Sequence, residues 1–395
     1  MLTIYSRLIN PAGPSRTPVK TIFQERKDAE LQPKGFIMKR QKKIGVALAV
    51  ATSLMATFAG IATAGAAQTT VTIYEATGYA ADEIKAFNAK MGYTAVKDYT
   101  DSTGPLLAKV AAESNNPQWN MLWVDGAEAF AALDKKGALS AYTPKGDFND
   151  LGKSLFPADH SYVPLGATMM GVALYNAANV PTPPTTYTDL LKPAFKGKLG
   201  MNNPAVSGPT FPFLAGMFSQ IGGKNSKTAD GLAANIAAGE KFLKSVKTTN
   251  GMVVNDRNGP TTHAFEIGDI NVALIQSSAA YNELNKLAKT PIPGVTPKIA
   301  FLSKPALVTN VIAVSSGGTA SQRQLAKKFI DFILSPAGQA VATNSSDSDS
   351  FFWPLTTYAT PKSFLAPLPD YFVANPYAWG PQQPAIDDWF LQNIK

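Results

Sequence analysis

The segment TTVTIYEATGYAADEIKAFNAKMGYTAVKDY (69–99) contains the order of elements that decides the fold. Residues 69–76 favour a strand. A helix follows, in which Ile84, Phe87 and Met91 are apolar positions spaced three and four residues apart. Residues 93–99 favour a second strand. Strands that alternate with helices are typical of an α/β protein, and we predict that fold class here.

The alternation continues along the chain. Further strands are predicted at 120–125, 166–176, 198–204, 252–256, 270–276 and 297–316. Further helices are predicted at 102–114, 126–137, 210–221, 230–246 and 259–268, from Ala279 onward, and at 321–342. Thr103 is predicted to cap the helix at 102–114. The proline- and aromatic-rich tail from Asp347 is left without an assigned element.

Net charge is concentrated at the N-terminus. The 395 residues include 36 Lys and Arg against 28 Asp and Glu, a formal charge of +8. Residues 1–66 hold ten of the basic and three of the acidic side chains, which leaves 26 against 25 in residues 67–395. A nearly neutral folded part argues against nucleic acid as a partner. The length predicts two domains, and 45% hydrophobic with 16% charged residues predicts a well-packed soluble globule.

Residues 38–66, MKRQKKIGVALAVATSLMATFAGIATAGA, have the layout of a secretory signal peptide. A basic stretch precedes an apolar run from Ile44 to about Ile61, and small residues follow in two Ala-x-Ala patterns. We predict export to the periplasm with cleavage near 64–67; an uncleaved membrane anchor is the alternative. Residues 1–37 are interpreted as an over-called start or an extended leader.

The residue types that many catalytic and metal sites need are scarce. The chain has no cysteine, which excludes disulfides and thiolate chemistry, and its two histidines, His160 and His263, lack metal-ligand spacing. It contains no H-E-x-x-H or G-x-S-x-G motif. The DSDS segment (347–350) resembles half of a calcium loop but lacks its glycine and terminal glutamate, which favours a solvated loop. We predict no catalytic residue, no metal and no cofactor, and we do not expect an enzyme.

Four predicted strands end in short polar loops that begin helices: EATGYA (75–80), TDSTGP (100–105), NPAVSGPT (203–210) and QSSAA (276–280). In open α/β sheets, ligands bind beyond the carboxyl ends of strands, where helix N-termini offer unpaired N–H groups to an anion. Because Ser, Thr or Gly before a helix is also the usual cap, a single loop carries little weight. Four such loops predict a shared oxyanion site if they converge.

The candidate ligand-binding residues come mainly from these loops. They are Thr77, Gly78, Ser102, Thr103, Gly104, Asp125, Ser207, Gly208, Thr210, Ser277, Ser278 and Tyr281. For Asp125 the alternative is a helix N-cap, and for Tyr281 it is an aromatic side chain on the core face of a helix.

Four segments resemble, in the same order, the periplasmic solute-binding proteins of ABC importers, in the branch that includes ferric-ion, polyamine, thiamine and phosphonate binders. The segments are VTIYEATGYAADEIKAFNAKMGYT (71–94), NPQWNMLWVDGAEAFAALDKKGALSAYTP (116–144), GVALYNAANVPTPPTTYTDLLKPAFKGKLGMNNPAVSG (171–208) and AKKFIDFILSPAGQA (326–340). The resemblance extends from residue 69 to about residue 355, and its third and fourth segments are the most specific.

The resemblance implies a two-lobed type II periplasmic-binding-protein fold with two hinge crossings, near 167–176 and 297–304. One lobe would comprise 67–168 plus 301–395, and the other 169–300. A small solute would bind between the lobes, and the closed form would then dock on ABC permease subunits in the inner membrane. We expect a monomer.

The resemblance also narrows the ligand. Ferric-ion binders place consecutive tyrosines after the strand that here reads VALIQ, whereas this chain has Ser277-Ser278-Ala279-Ala280 and only Tyr281 beyond. One phenolate is a poor site for Fe³⁺. We therefore favour an organophosphonate or phosphate ester such as 2-aminoethylphosphonate, with Asp125 or Glu75 receiving the amino group.

Three alternatives stay open. The first is ferric iron with a synergistic anion. The second is a polyamine, for which Glu75, Trp123, Asp125 and Asp256 lie near the expected cleft. The third is an exported enzyme on the same fold; a hydroxymethylbilane-synthase-like transferase would need a cysteine for its covalent cofactor, and the chain has none.

Overall fold

The structure, a computed structural model, describes residues 68–395, which belong to one compact unit. The leader (1–37) and signal peptide (38–66) predicted above lie outside the described residues. The strands are β1 (Val71–Glu75), β2 (Val96–Thr100), β3 (Met121–Asp125), β4 (Val163–Asn176), β5 (Leu199–Asn202), β6 (Val253–Asn255), β7 (Val272–Ile275), β8 (Pro297–Val314) and β9 (Trp353–Pro354). The helices are α1 (Ala80–Met91), α2 (Thr103–Ala112), α3 (Ala127–Asp134), α4 (Asp150–Ser154), α5 (Thr210–Gly222), α6 (Ala229–Asn250), α7 (Asn258–Glu266), α8 (Ser277–Lys289), α9 (Ala320–Ile333), α10 (Pro336–Asn344), α11 (Pro376–Trp379) and α12 (Gln383–Asn393).

The nine strands form one sheet in the order β2-β1-β3-β8-β4-β7-β5-β6, with β9 beside β4. Strands β1, β2 and β3 are parallel to one another, and so are β5, β6 and β7. Between these two groups lie β8 and β4, which pair antiparallel with each other and with their neighbours β3 and β7. These two strands, of 18 and 14 residues, connect the two groups.

Strand directions bring the carboxyl ends of both groups towards the middle of β4 and β8. Strand β3 ends at Asp125 opposite Asn310 of β8, and Asn310 in turn pairs with Gly166 of β4. Strand β7 approaches from the other side and ends at Ile275, opposite Val172 of β4. Because α/β proteins bind ligands beyond the carboxyl ends of their strands, this topology places a binding region between the two groups.

The pairing of β4 with β8 is irregular in the same region. The register shifts between Met170 and Val172, whose partners on β8 are Ala306 and Phe301. Lys304, inside this irregular stretch, has a φ of 48°, a left-handed conformation that is uncommon for a residue with a side chain. A register shift of this kind is a β-bulge, which bends its strand. It lies within or beside both predicted hinge segments. The predicted lobe bounds, 67–168 plus 301–395 and 169–300, stay a prediction.

Apolar side chains pack on both faces of the sheet. In β7, Leu274 and Ile275 belong to two different core clusters, as expected from the two-residue period of a strand. In β1, Ile73 and Tyr74 divide in the same way. Within residues 68–395, no helix has the length and apolar character that crossing a membrane requires.

The C-terminal segment (371–395) runs along both groups of strands. The backbone of Phe372 hydrogen-bonds Pro305 and Leu307, beside the irregular part of β8. The Tyr377 hydroxyl donates to Asp134 at the end of α3, 2.8 Å away. Trp379 is fully buried against Phe218 of α5. The tail, for which the sequence predicts no element, is therefore a structural part of the protein.

Most predicted elements are present, with ends shifted by a few residues. The helix predicted at 321–342 is wrong as a single element, because it divides into α9 and α10 at Ser335-Pro336. Proline cannot continue a helix from the preceding turn but suits the first turn of a new one, and the Ser335 hydroxyl accepts a hydrogen bond from the N–H of Gly338. Thr103 was predicted as a cap; it is the first helical residue of α2, and Ser102 occupies the cap position.

Helix α1 carries a carboxyl group with no compensating contact. Glu83 is fully buried, and neither of its carboxyl oxygens has a hydrogen-bond partner. Burial away from water raises its pKa to about 9. The unfolded chain releases this proton above the ordinary value near 4.5, whereas the folded chain retains it up to about pH 9. The contribution of Glu83 to stability therefore falls as the pH rises between these values.

We expect Glu83→Met to stabilise the protein by about 1–4 kcal/mol at pH 8, because the substitution replaces an unpaired buried acid with an apolar side chain of similar volume. The gain should be smaller at pH 5, where both states of the wild type are closer to neutral at this position. Melting temperatures of both proteins at pH 5 and pH 8 provide the measurement. A gain independent of pH would show that Glu83 does not stay protonated in the folded state.

Candidate functional site

A cavity of about 540 Å³ lies between the two groups of strands, where their carboxyl ends meet. Glu75, Thr100 and Asp125 line it from the ends of β1, β2 and β3. The loop Val206–Pro209 before α5, the residues Arg257 and Asn258 at the start of α7, and Gln276 before α8 line it from the other side. The strand-end loops predicted from the sequence therefore converge.

Seven of the twelve predicted site residues line this cavity. They are Thr77, Gly78, Ser102, Thr103, Asp125, Ser207 and Gly208. Contacts across the cavity bring several of them together. A side chain at Gly208 would collide with the Thr103 hydroxyl, which would lie 2.4 Å from its Cβ. The Gln276 amide donates to both Asp125 and Thr168, at 2.9 and 2.8 Å.

The other five residues do not line the cavity. Gly104 lies against the backbone of Ala205, and its N–H donates to the carbonyl of Val206. Thr210 is fully buried in the first turn of α5. Thr210 therefore lies in the core, whereas Thr103, the first residue of α2, lines the cavity although it too belongs to a helix.

The predicted site residues in the first two turns of α8 are also buried. Ser277 is buried and its hydroxyl accepts a hydrogen bond from Met169 of β4, while Ser278 is fully buried. Tyr281 packs against Phe351 and Leu365, and its hydroxyl accepts from the N–H of Ala366. The structure thus places Tyr281 in the core, which was the alternative for this residue.

Of the lining residues outside the predicted set, three carry polar or charged groups that matter for the chemistry of the cavity: Gln276, Arg257 and Asp349. Gln276 belongs to the QSSAA loop, from which the predicted site includes only Ser277 and Ser278. Arg257 follows β6 and precedes α7, so the strand-loop-helix signal used for the other four loops would have found it. Asp349 belongs to the DSDS segment, for which the sequence favours a solvated loop, and its contact with Gly78 spans 271 positions of sequence, so no local pattern places it at the cavity.

One wall of the cavity is acidic. It is formed by Glu75, Asp125 and Asp349. A fourth carboxylate, that of Asp101, also lines the cavity and accepts a hydrogen bond from the N–H of Ser102 at 2.7 Å. Burial raises the pKa of Glu75 and of Asp125 above their ordinary values. Burial, together with the charge of Asp125, raises the pKa of Asp349 to about 7. A cation placed against this wall would relieve the repulsion among its carboxylates.

The opposite wall favours negative charge. Arg257 supplies the cationic group among the residues that line the cavity, and its guanidinium lies 3.4 Å from the Ser102 hydroxyl, to which it donates. Guanidinium groups bind phosphonates and phosphates through two parallel hydrogen bonds.

Helix N-termini add to this wall. Four helices begin beside the cavity with neither a side-chain cap nor an acidic residue in the first turn: α2, α5, α7 and α8. Among the helices that begin elsewhere, α4, α6, α9, α10 and α11 have side-chain caps, whereas α12 has neither a cap nor a first-turn acid. The uncapped first turns of α2, α5, α7 and α8 present partial positive charge to an anion. Only some of their N–H groups are available, because that of Gly104 is bonded to Val206 and Pro105, Pro212 and Pro260 have none. This arrangement favours anion binding over simple capping as the role of the loops.

The described residues 68–395 contain no group of three or more His, Cys, Asp or Glu side chains arranged to hold a metal ion. The cavity combines an acidic wall with a wall that carries a guanidinium group.

Comparisons with known proteins identify the family and the fold. The sequence profile of the family described as "Bacterial extracellular solute-binding protein" matches residues 83–371. No curated protein sequence matches the chain.

Three solved structures illustrate the similarity of fold. The periplasmic binding protein P5PA is 18% identical with a TM-score of 0.65, over 83% of this chain and 100% of that one. AfuA from Actinobacillus pleuropneumoniae, with bound fructose-6-phosphate, is 16% identical with a TM-score of 0.67, over 83% and 99%. Iron-bound HitA from Pseudomonas aeruginosa is 16% identical with a TM-score of 0.63, over 81% and 98%. These likenesses confirm the predicted two-lobed type II periplasmic-binding-protein fold.

Proposed function

The chain belongs to the family of bacterial extracellular solute-binding proteins, and we propose that it is the periplasmic component of an ABC importer for a small phosphonate or phosphate ester. The solute binds in the 540 Å³ cavity between the lobes. The lobes close around it, and the closed form delivers it unchanged to the permease subunits. The protein acts as a monomer after its signal peptide is removed near residues 64–67.

One observation carries the choice of an oxyanion. Four helix N-termini without caps or first-turn acids meet Arg257 at a single cavity. Each N-terminus alone would be weak, but backbone N–H groups and a guanidinium that converge are the donor set that a phosphoryl group requires. AfuA, which has the same fold, holds a sugar phosphate.

Among oxyanions, 2-aminoethylphosphonate fits both walls. Its phosphonate faces Arg257 and the helix N-termini, and its ammonium faces Glu75, Asp125 and Asp349. Each charge of the ligand then meets the opposite charge in the cavity.

A thermal-shift screen of the exported chain (67–395) tests the function. We expect 2-aminoethylphosphonate at about 100 times its Kd to stabilise the folded state by about 2.7 kcal/mol, which corresponds to a rise of roughly 5 °C in the melting temperature. Phosphate esters, ferric citrate and spermidine form the other arms of the screen. Stabilisation by ferric citrate or spermidine, with none by any phosphonate or phosphate ester, would contradict the proposal.

A polyamine is the second candidate, and the acidic wall favours it. Three carboxylates on one side of the cavity can bind two ammonium groups of spermidine. Arg257 opposes this ligand because it places a positive charge in the same cavity. The spermidine arm of the screen therefore separates the two functions.

A further inference from the structure

We propose that Asp349 is the residue that accepts the ammonium group of the ligand, and that it makes the protein selective for aminated oxyanions over their unaminated analogues. This inference rests on the proposed function and names the ligand class within it. It differs from the expectation drawn from the sequence, which gave this role to Asp125 or Glu75.

The hydrogen bonds of the acidic wall distinguish its three carboxylates. Both oxygens of Asp125 already accept a hydrogen bond, from the side-chain amides of Asn310 and Gln276 at 2.9 Å each. Both oxygens of Glu75 are also occupied, by the N–H of Thr77 at 2.8 Å and by the hydroxyl of Thr100. These two carboxylates therefore have their main acceptor positions filled by the protein itself.

Asp349 differs from them. Its Oδ2 accepts a hydrogen bond from the N–H of Gly78 at 2.8 Å, whereas its Oδ1 has no donor among residues 68–395. This residue lines the cavity. A carboxylate oxygen without a donor costs free energy in a partly desolvated place, and a ligand ammonium would supply the missing donor.

The loop that carries Asp349 is held in place by its own contacts. The carboxylate of Asp347 accepts from the N–H of Asp349 at 2.8 Å, and the Ser350 hydroxyl donates to the carbonyl of Ser345 at 3.0 Å. A Cβ at Gly78 would lie 2.1 Å from Asp347, so glycine is required for this close approach. The free oxygen is therefore presented from a fixed position, which favours selectivity.

Charge supports the assignment. The ionisable groups that face Asp349 are the carboxyl groups of Glu75, Asp125 and Asp347 and the hydroxyl of Tyr79, and the repulsion of the three carboxylates adds to burial in raising the pKa of Asp349 to about 7. An ammonium ligand favours the ionised carboxylate. The preference for an aminated ligand should therefore increase from pH 6 to pH 8, as Asp349 loses its proton.

The test is isothermal titration calorimetry with 2-aminoethylphosphonate and ethylphosphonate, which differ only in the amino group. We expect the wild-type protein to prefer the aminated ligand about 10- to 100-fold, the range of one charge-assisted hydrogen bond. In Asp349→Asn the preference should fall below about threefold, while the Kd for ethylphosphonate stays the same or decreases. Asparagine keeps an oxygen for the N–H of Gly78, and Asp349→Ala is a second variant if the first does not fold.

Asp370→Asn is the matched control, because it removes the same charge from an exposed position in the same part of the chain. It should keep the wild-type preference. Retention of the preference in Asp349→Asn, or its loss in Asp125→Asn alone, would overturn the assignment while leaving the proposed function intact. A wild-type protein that binds neither phosphonate would instead overturn the proposed function, and with it this inference.

Discussion

Replacing Arg257 with alanine is expected to weaken the binding of 2-aminoethylphosphonate at least about 30-fold. The guanidinium supplies the cationic side chain of the wall that favours anions. A hydrogen bond to a charged group typically contributes about 1.5–3 kcal/mol, and 2 kcal/mol corresponds to a factor of about 30 in Kd. Calorimetric titration of the variant provides the measurement.

Two further variants interpret the result. Arg257→Lys keeps the charge but loses the planar pair of donors, so its loss should be smaller than that of the alanine variant but still measurable. Arg323→Ala removes the same side chain from a position where it donates to the carbonyls of Ser316, Gly317 and Gly318, outside the cavity. Its affinity should equal that of the wild type. Equal affinity in Arg257→Ala would exclude Arg257 from the anion site.

Replacing Trp379 with alanine is expected to destabilise the protein by about 3–5 kcal/mol. The indole is fully buried and packs against Phe218, so its removal leaves a large cavity in the core that the C-terminal segment shares with α5. At roughly 2 °C per kcal/mol, the melting temperature should fall by about 6–10 °C.

Trp379→Phe provides the control for the size of the side chain. The indole Nε1 is buried without a hydrogen-bond partner, so phenylalanine removes an unsatisfied donor while it keeps most of the aromatic volume. We expect a loss of less than about 1.5 kcal/mol. If Trp379→Ala melted at the wild-type temperature, the C-terminal segment would not be part of the core.

Several features of the site could be predicted from local sequence. A strand followed by a short polar loop and a helix is set by residue period and turn composition within about 20 residues, and both are visible in the segment 69–99. The carboxyl ends of such strands point to one region, and the structure brings Thr77, Ser102 and Ser207 to one cavity there; their role in binding a ligand stays a prediction. Arg257 carried the same local signal and could have been included.

Other features depended on contacts that no local pattern records. Ser277, Ser278 and Tyr281 follow a strand just as the lining residues do, yet α8 begins at once and turns them into the core. A shift of one residue at a helix start changes the face on which a side chain lies. The structure was likewise needed to show whether a loop caps its helix or leaves the helix N-terminus uncapped.

By itself, the sequence determined the α/β alternation, the near-neutral charge of the folded part and most of the loops that line the cavity. These properties follow from period and composition, which act over short distances along the chain. Only the tertiary structure decided the chemistry of the two walls, because it brings Asp349 to Gly78 across 271 positions and sets Arg257 beside Ser102. Such contacts form only when the C-terminal half of the chain packs over the first strands, so they depend on packing of the whole chain.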